Sequence, residues 1–189
     1  MPNLDRCALV IVDVQKGFDD LSYWSPTGRR NNPACERNAA ALVEEWRANG
    51  RPVIFVRHDS DTAGSPLEPG QDGNAFKPEL TGQPDLLVTK GTNSAFYGEP
   101  DLHAWLQDRG MTGFAVCGIQ TNHCVETTAR MGGNLGYEVR FVADACHTFD
   151  RLEPSGDLMT ADELTRATVT SLHGEFADVV NTADLIDAS

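Results

Sequence analysis

The sequence predicts an α/β fold, a three-layer α/β/α arrangement around a six-stranded, mostly parallel sheet. Three observations predict it. Short runs of apolar, largely β-branched residues recur along the chain, as in strands that are covered on both faces. Segments with the spacing of amphipathic helices separate several of these runs. Strands that alternate with helices form right-handed β-α-β units, which place neighbouring strands parallel.

Each strand candidate combines a short apolar run with a polar or turn-forming boundary. The six candidates lie at residues 8–12, 53–56, 86–89, 114–117, 138–142 and 176–180. We expect residues 1–189 to form a single domain, because a chain of this length can bury a full core without disulfide staples.

Helical patterns lie between the strand candidates, at residues 33–49, 100–109, 126–135 and 160–174. The last begins with a capping box formed by Thr160 and Glu163. In the first, Gly50 is a natural stop. Its apolar residues fall on one face, which we expect to be buried: Ala39, Leu42, Val43 and Trp46.

Residues 61–83 form a long segment without a periodic pattern, with prolines at positions 66, 69 and 78. Segments of this length in a compact domain are usually functional or disordered. The sequence does not indicate where this segment lies relative to the strands.

Composition excludes several classes of protein. The net charge is −13, from 15 basic and 28 acidic residues, so the basic surface that a nucleic-acid binder needs is not expected. The five cysteines lack CxxC spacing, which argues against a zinc ribbon or a disulfide framework. No signal-peptide pattern and no apolar run of about 20 residues are present, so we expect a cytoplasmic protein that does not bind membranes.

Three chemically versatile residues follow predicted strands. Asp13 ends the first strand, Lys90 ends the third, and Cys124 lies between the fourth strand and the next helix. In open parallel sheets, sites form at the carboxyl ends of the strands. We therefore expect these three side chains to meet, although each alone is more often a loop cap, a solvated charge or inert packing.

A reaction can be assigned to this constellation. Cys124 is the candidate nucleophile, because a thiol at the start of a helix is placed where backbone N–H groups favour its thiolate. Asp13 would accept the thiol proton and return it to a leaving amine, while Lys90 would hold the negative charge. The backbone amides of Gln120 and Cys124 are candidates for an oxyanion hole. His147 leaves open a competing Cys–His dyad.

Three segments carry a family resemblance: Val10-Ile11-Val12-Asp13-Val14-Gln15-Lys16-Gly17-Phe18, Val88-Thr89-Lys90-Gly91-Thr92-Asn93-Ser94-Ala95-Phe96 and Gly118-Ile119-Gln120-Thr121-Asn122-His123-Cys124-Val125. Together and in this order they resemble the isochorismatase-like cysteine hydrolases, which have a Rossmann-like fold. The resemblance implies a catalytic triad of Asp13, Lys90 and Cys124, and a cis peptide bond between Ile119 and Gln120 that shapes the oxyanion hole.

The resemblance also implies the reaction class. True isochorismatases lack the nucleophilic cysteine and amidases of the family keep it, so Cys124 favours hydrolysis of a C–N bond in a small-molecule amide. Nicotinamidases of the family add a metal site with histidines after the second strand. Here His58 is followed by no histidine until His103, so we expect no metal and no other cofactor. A vinyl-ether hydrolase, a nicotinamidase-like amidase and a non-catalytic binding protein remain alternatives.

A finer resemblance concerns the substrate. The segments 29–33, 57–60, 65–67 and 73–77 are similar to those of the subgroup that contains streptothricin hydrolase, which opens the cyclic amide of a cationic antibiotic. Acidic residues at 59, 61, 68 and 72 would suit a cationic substrate. Family members commonly form homo-oligomers, so a dimer or tetramer is expected. Six residues near the triad segments are candidates for binding substrate: Phe18, Trp24, His58, Phe76, Asn93 and Phe96.

Overall fold

The structure is a computed structural model that describes residues 4–186. Its strands are β1 Cys7–Val12, β2 Val53–His58, β3 Leu86–Lys90, β4 Gly113–Ile119, β5 Glu138–His147, β6 Arg151–Leu152, β7 Leu158–Met159 and β8 Asp178–Val180. Its α-helices are α1 Leu21–Trp24, α2 Cys35–Ala48, α3 Leu102–Asp108, α4 Glu126–Asn134, α5 Ala161–Leu172 and α6 Thr182–Ile186.

Six strands form one sheet in the order β3-β2-β1-β4-β5-β8, and every neighbouring pair is parallel. The predicted fold class is therefore confirmed. The order reverses between β1 and β4, so the chain leaves these two strands in opposite directions. Such a reversal opens a crevice at the carboxyl ends of the strands, where α/β proteins bind their ligands.

The close approach of β1 and β4 at this crevice depends on a glycine. Gly118 has φ +128 and lies opposite Val12 in the register. A Cβ atom at position 118 would lie 2.0 Å from the Val12 carbonyl oxygen. Any larger residue would push the two strands apart at the point where the site begins.

The helices pack as their patterns predict. The four apolar residues on the predicted face of α2 are all buried, and the indole N–H of Trp46 donates to the Cys7 carbonyl at 2.9 Å. The capping box of α5 is present, since Thr160 accepts from the Glu163 amide and the Glu163 carboxylate accepts from the Thr160 amide. Among residues 4–186, no helix has the length and apolar character needed to cross a bilayer.

The structure departs from the expected elements in several places. β5 continues to His147 rather than ending at residue 142, because tertiary partners satisfy its polar residues: Asp144 accepts from the Thr182 amide at 2.7 Å and from its hydroxyl at 2.8 Å. The last sheet strand is shorter than expected and begins at Asp178. The β6-β7 hairpin was not predicted, since its two-residue strands are too short for a detectable alternation.

The long segment 61–83 is held against the carboxyl ends of β1 and β2. The Asn74 amide group donates to the carbonyls of His58 and Leu67, at 3.1 and 3.0 Å. The buried Gln15 side chain donates to the carbonyls of His58 and Asn74 and accepts from the His58 amide. These bonds bring Leu67 to the crevice.

Candidate active site

The three strand-end residues meet at the crevice. Asp13 follows β1, Lys90 is the last residue of β3, and Cys124 lies in a π-helical turn, Thr121–Val125, that connects β4 to α4. Lys90 Nζ lies 2.6 Å from Asp13 Oδ2, and neither side chain is exposed to solvent. Lys90 reaches across the end of β2, where its Nζ also lies 3.1 Å from His58 Nδ1.

The Asp13 carboxylate is only half satisfied. Its Oδ2 accepts from Lys90, whereas its Oδ1 is buried and has no hydrogen-bond partner among the described residues. The residue has φ +53, a left-handed conformation that is uncommon for a non-glycine residue, and its amide donates to the Val56 carbonyl at 2.9 Å. A buried carboxylate oxygen without a donor is costly, so it marks a position where a proton or a ligand group is accepted.

The Cys124 thiol faces this carboxylate. Its Sγ, a carboxylate oxygen of Asp13 and a ring nitrogen of His58 all lie within 4.8 Å of one another. Sγ also lies 3.6 Å from Asn93 Oδ1, as a thiol donating to an amide oxygen does. Burial and the negative charge of Asp13 raise the pKa of the Cys124 thiol, and Lys90 only partly opposes them.

These effects favour the protonated form of the Cys124 thiol, so they do not support the helix-stabilised thiolate that the sequence predicts. Cys124 lies within the π-helical turn that leads directly into α4, two residues before α4 begins, and it is 7% exposed. A thiol with a raised pKa attacks a substrate only when a neighbouring base takes its proton.

Lys90, which pairs with Asp13, stays positively charged. Burial alone would lower the pKa of Lys90, but the charge of the Asp13 carboxylate and its hydrogen bond raise it above its ordinary value. Burial and the Lys90 charge lower the pKa of His58, so its imidazole is neutral at pH 7. Because its Nδ1 faces the Lys90 ammonium, we assign the ring proton to Nε2.

Asp13, His58 and Cys124 offer three potential metal ligands, and the structure allows the fit of a metal to be tested. The Lys90 ammonium bonds to two of the three groups, Asp13 Oδ2 and His58 Nδ1. A divalent cation would have to displace that ammonium or sit against its charge in a buried site. These residues therefore do not fit a metal as they stand, and no step of the chemistry is assigned to one.

The turn that carries Cys124 contains other unpaired polar atoms. The Ile119–Gln120 peptide bond is cis, as the family resemblance implies. Gln120 Oε1 and Thr121 Oγ1 are buried without hydrogen-bond partners in the described part of the chain. The Gln120 carbonyl accepts from the amides of His123 and Val125, which closes the turn and leaves Gln120 and Cys124 on the wall of the crevice.

A pocket of about 120 Å³ opens onto the thiol. It is lined by Phe18, Trp24, His58, Leu67, Asn93, Gln120, His123 and Cys124. Four of the six expected substrate-binding residues therefore line it. Leu67 and His123 were not predicted, because no local pattern shows that segment 61–83 folds over the site or that the π-helical turn directs His123 into it.

Phe76 and Phe96 do not line the pocket, which corrects their expected role. Phe76 packs edge-on against Phe55, with ring centroids 5.3 Å apart. Phe96 packs between Phe114 and Tyr137, at 5.9 and 6.0 Å. Both rings anchor their loops to the core because apolar contacts there remove more surface from water than the small pocket would.

Two of the four acidic residues expected to attract a cationic substrate, Asp59 and Asp72, form ion pairs. Arg57 forms a two-pronged ion pair with Asp59, at 2.8 and 3.0 Å, and Lys16 lies 2.7 Å from Asp72.

His147 bonds to a residue outside the pocket: its Nε2 lies 2.9 Å from an Arg30 nitrogen, and it does not line the pocket. The geometry gives no support to a dyad of Cys124 with His147.

Comparisons with known proteins agree with this architecture. The model of the isochorismatase domain family matches residues 7–184. The isochorismatase family protein YrdC of Bacillus subtilis is 36% identical over 97% of this chain and 96% of its own length. A solved isochorismatase-family structure from Chromobacterium violaceum has a TM-score of 0.90 and 40% identity, covering 100% of this chain and 98% of its own. Nicotinamidase 3 of Arabidopsis thaliana is 29% identical over 95% of this chain and 87% of its own.

Proposed function

The chain belongs to the isochorismatase family of hydrolases, and we propose that it is a cysteine amidohydrolase that cleaves a C–N bond through a thioester on Cys124. One observation carries the proposal: the Asp13 carboxylate, whose buried Oδ1 has no partner among the described residues, lies beside the Cys124 thiol, whose pKa is raised. The thiol must lose its proton before it can attack, and the carboxylate oxygen without a donor can accept that proton.

The first half-reaction acylates the thiol. Cys124 Sγ attacks the amide carbon while its proton moves to Asp13, and the carbonyl oxygen becomes an oxyanion, for which the backbone amides of Gln120 and Cys124 are our candidate donors. The C–N bond then breaks, and Asp13 returns the proton to the leaving nitrogen. The amine departs and the acyl group remains as a thioester.

The second half-reaction repeats these roles with water. Water attacks the thioester carbon and gives a proton to Asp13; the C–S bond breaks, and the sulfur recovers that proton. Lys90 keeps its charge throughout and holds Asp13 in position from Oδ2. His58, with its Nδ1 facing Lys90, presents Nε2–H as a hydrogen-bond donor.

The size and lining of the pocket support a small, uncharged reacting group. A cavity of about 150 Å³ in another protein accommodates benzene, so about 120 Å³ suits an amide with no more than one small ring. Phe18, Trp24 and Leu67 supply the apolar walls. These features favour a small amide over a bulky cationic lactam of the streptothricin type, of which only the reacting end would fit.

The decisive experiment is to trap the acyl-enzyme. The protein is mixed with a panel of small amides, including nicotinamide and small lactams, quenched in acid and analysed by intact-protein mass spectrometry. We expect an adduct of the acyl mass in the wild type and none in Cys124→Ala. The control variant Cys146→Ala should form the adduct, because Cys146 is buried and does not line the pocket.

Two outcomes would overturn the proposal. The first is full turnover of an amide by Cys124→Ala. The second is pyruvate release from isochorismate that thiol alkylation does not affect, which would identify a vinyl-ether hydrolase. The absence of any turnover or adduct across the panel would favour a binding protein. A dimer or tetramer remains a prediction, which light scattering on the purified protein can test.

A further inference from the structure

A groove of about 300 Å³ adjoins the reaction pocket. It is lined by Trp24, Pro26, Asp150, Arg151 and Leu152, and Trp24 is a wall of both cavities. A substrate whose amide reaches Cys124 can therefore extend across the Trp24 ring into the groove. Stacking of Trp24 on Phe18 and Phe149, with centroids 4.6 and 6.1 Å apart, fixes this shared wall.

Of the two charged side chains in the groove, one has no hydrogen-bond or ion-pair partner among residues 4–186. Asp150 is buried and both of its oxygens are bonded: Oδ1 accepts from the Ala161 amide at 2.8 Å, and Oδ2 accepts from the Thr27 hydroxyl at 2.6 Å. Arg151 is exposed, and within residues 4–186 its guanidinium has no hydrogen-bond or ion-pair partner. The group free to bind a ligand in this groove is therefore a cation.

The charge of Arg151 also reaches the reaction pocket. Burial lowers the pKa of His123, which lines the pocket, and the positive charge of Arg151 lowers it further. Inside the pocket, the Asp13 charge is compensated by Lys90 at 2.6 Å. The groove itself carries one negative and one positive side chain, Asp150 and Arg151, and of the two only the Arg151 guanidinium has no partner among residues 4–186.

We propose that the groove binds a carboxylate on the tail of the substrate, so that the substrates are amides that carry a carboxylate a few carbons from the scissile bond. Trp24, Pro26 and Leu152 offer apolar surface to the intervening methylene groups. The planar guanidinium of Arg151 matches a carboxylate with two parallel hydrogen bonds. This inference rests on the proposed amidase function and names its substrate class.

The test uses linear primary amides that differ only at the far end, which is a carboxylate, a methyl group or an ammonium group, at several chain lengths. For one length we expect kcat/KM to favour the carboxylate over the methyl end by about fivefold to tenfold, as for a partly exposed charged hydrogen bond. Arg151→Gln should remove the preference, and 0.5 M salt should weaken it in the wild type. Arg166→Gln, which removes an exposed arginine on α5, should keep it.

A binding measurement separates this inference from the proposed function. Calorimetry compares Cys124→Ala with Cys124→Ala/Arg151→Gln, using the same amides as ligands, so it does not depend on turnover. Tighter binding of the carboxylate ligand that Arg151→Gln abolishes would support the groove even if no amide is cleaved. Equal binding of the three ligand types, preference for ammonium, or a carboxylate preference that survives in Arg151→Gln would overturn it.

Discussion

Two buried clusters of charge lie at the carboxyl edge of the sheet and differ in how their carboxylates are paired. The Asp13 cluster consists of Asp13, His58, Lys90 and Cys124. The Glu36 cluster consists of Asp19, Arg30, Glu36, Lys77 and His147. Each contains a buried lysine, a buried carboxylate and a histidine, so composition alone does not distinguish them.

The carboxylate oxygens do distinguish them. Glu36 Oε1 accepts from Lys77 at 2.7 Å and from Arg30, and Oε2 accepts from Arg30 at 2.9 Å. Asp13 accepts only at Oδ2. His147 Nδ1 is the buried atom of the Glu36 cluster without a partner among the described residues, and His147 does not line the pocket that contains Cys124. A fully paired buried carboxylate stabilises a fold, whereas one with a free oxygen beside a nucleophile is available for proton transfer.

The largest effect expected from this difference is on turnover. Asp13→Asn keeps an oxygen that can accept from Lys90 but cannot take the Cys124 proton, so kcat should fall by about 10⁴-fold, as for the loss of one member of a catalytic triad. Steady-state kinetics measures the loss, and circular dichroism checks the fold. Asp72→Asn, at an exposed ion pair, should retain kcat. Retention of activity by Asp13→Asn would remove Asp13 from the chemistry.

The Glu36 cluster should respond in the opposite way. Glu36→Ala leaves Arg30 and the buried Lys77 without their shared partner, which should lower the free energy of unfolding by about 3–5 kcal/mol. The kcat of the folded fraction should change little. Urea unfolding measures the loss, and Glu138→Ala, which removes an exposed partner of Arg140 at 3.5 Å, should cost less than about 1 kcal/mol. A Glu36→Ala variant as stable as wild type would contradict the structural role.

The sequence predicts the Asp13 cluster and misses the Glu36 cluster for a physical reason. Asp13, Lys90 and Cys124 each follow an apolar run, and parallel strands bring their carboxyl ends together whatever the loops do. Glu36 and Lys77 come together only because segment 61–83 folds back past the carboxyl end of β1, where the Lys77 amide donates to the Val14 carbonyl. That path depends on the Asn74 and Gln15 side chains, which no local pattern reveals.

The same limit explains the errors within the site. The orientation of an aromatic side chain depends on packing across the sheet, so Phe18 and Trp24 enter the pocket while Phe76 and Phe96 anchor loops. The fold class depends on periodicity, which is local and was predicted. Pocket lining and charge pairing depend on contacts distant in sequence and were predicted only in part.

Acid stability should also separate the clusters, with a smaller effect. Although burial opposes it, hydrogen bonds from Arg30 and Lys77 lower the pKa of Glu36 from 4.5 to about 2. The unfolded chain therefore binds a proton at higher pH than the native one, and the stabilisation is complete above pH 4.5 and lost as pH falls towards 2. His147, whose pKa burial and the Arg30 charge lower from 6.5 to about 3, adds a loss in the same direction below pH 6.5.

Removing the Glu36 carboxylate should therefore weaken the dependence of the free energy of unfolding on pH in acid. Between pH 5 and pH 3 the free energy of unfolding should fall by about 1–2 kcal/mol less in Glu36→Gln than in wild type, measured by urea unfolding at each pH. The residual slope belongs to His147 and to the exposed carboxylates. Identical slopes in the two proteins would show that the Glu36 ion pairs do not persist in solution.

The smallest expected effect is on alkylation of Cys124. The substitution that lowers turnover most, Asp13→Asn, should make this reaction faster. The negative charge of Asp13 raises the pKa of Cys124, so Asp13→Asn, which loses turnover, should increase the thiolate fraction and alkylate faster with iodoacetamide. A threefold to tenfold increase is expected, about 1 kcal/mol of charge interaction. In wild type the rate should rise with pH through pH 9 without a plateau. Glu36→Gln, with its charge outside the pocket, should alkylate like wild type. Slower alkylation in Asp13→Asn would mean that Asp13 activates the thiol even without substrate, so that proton transfer precedes binding.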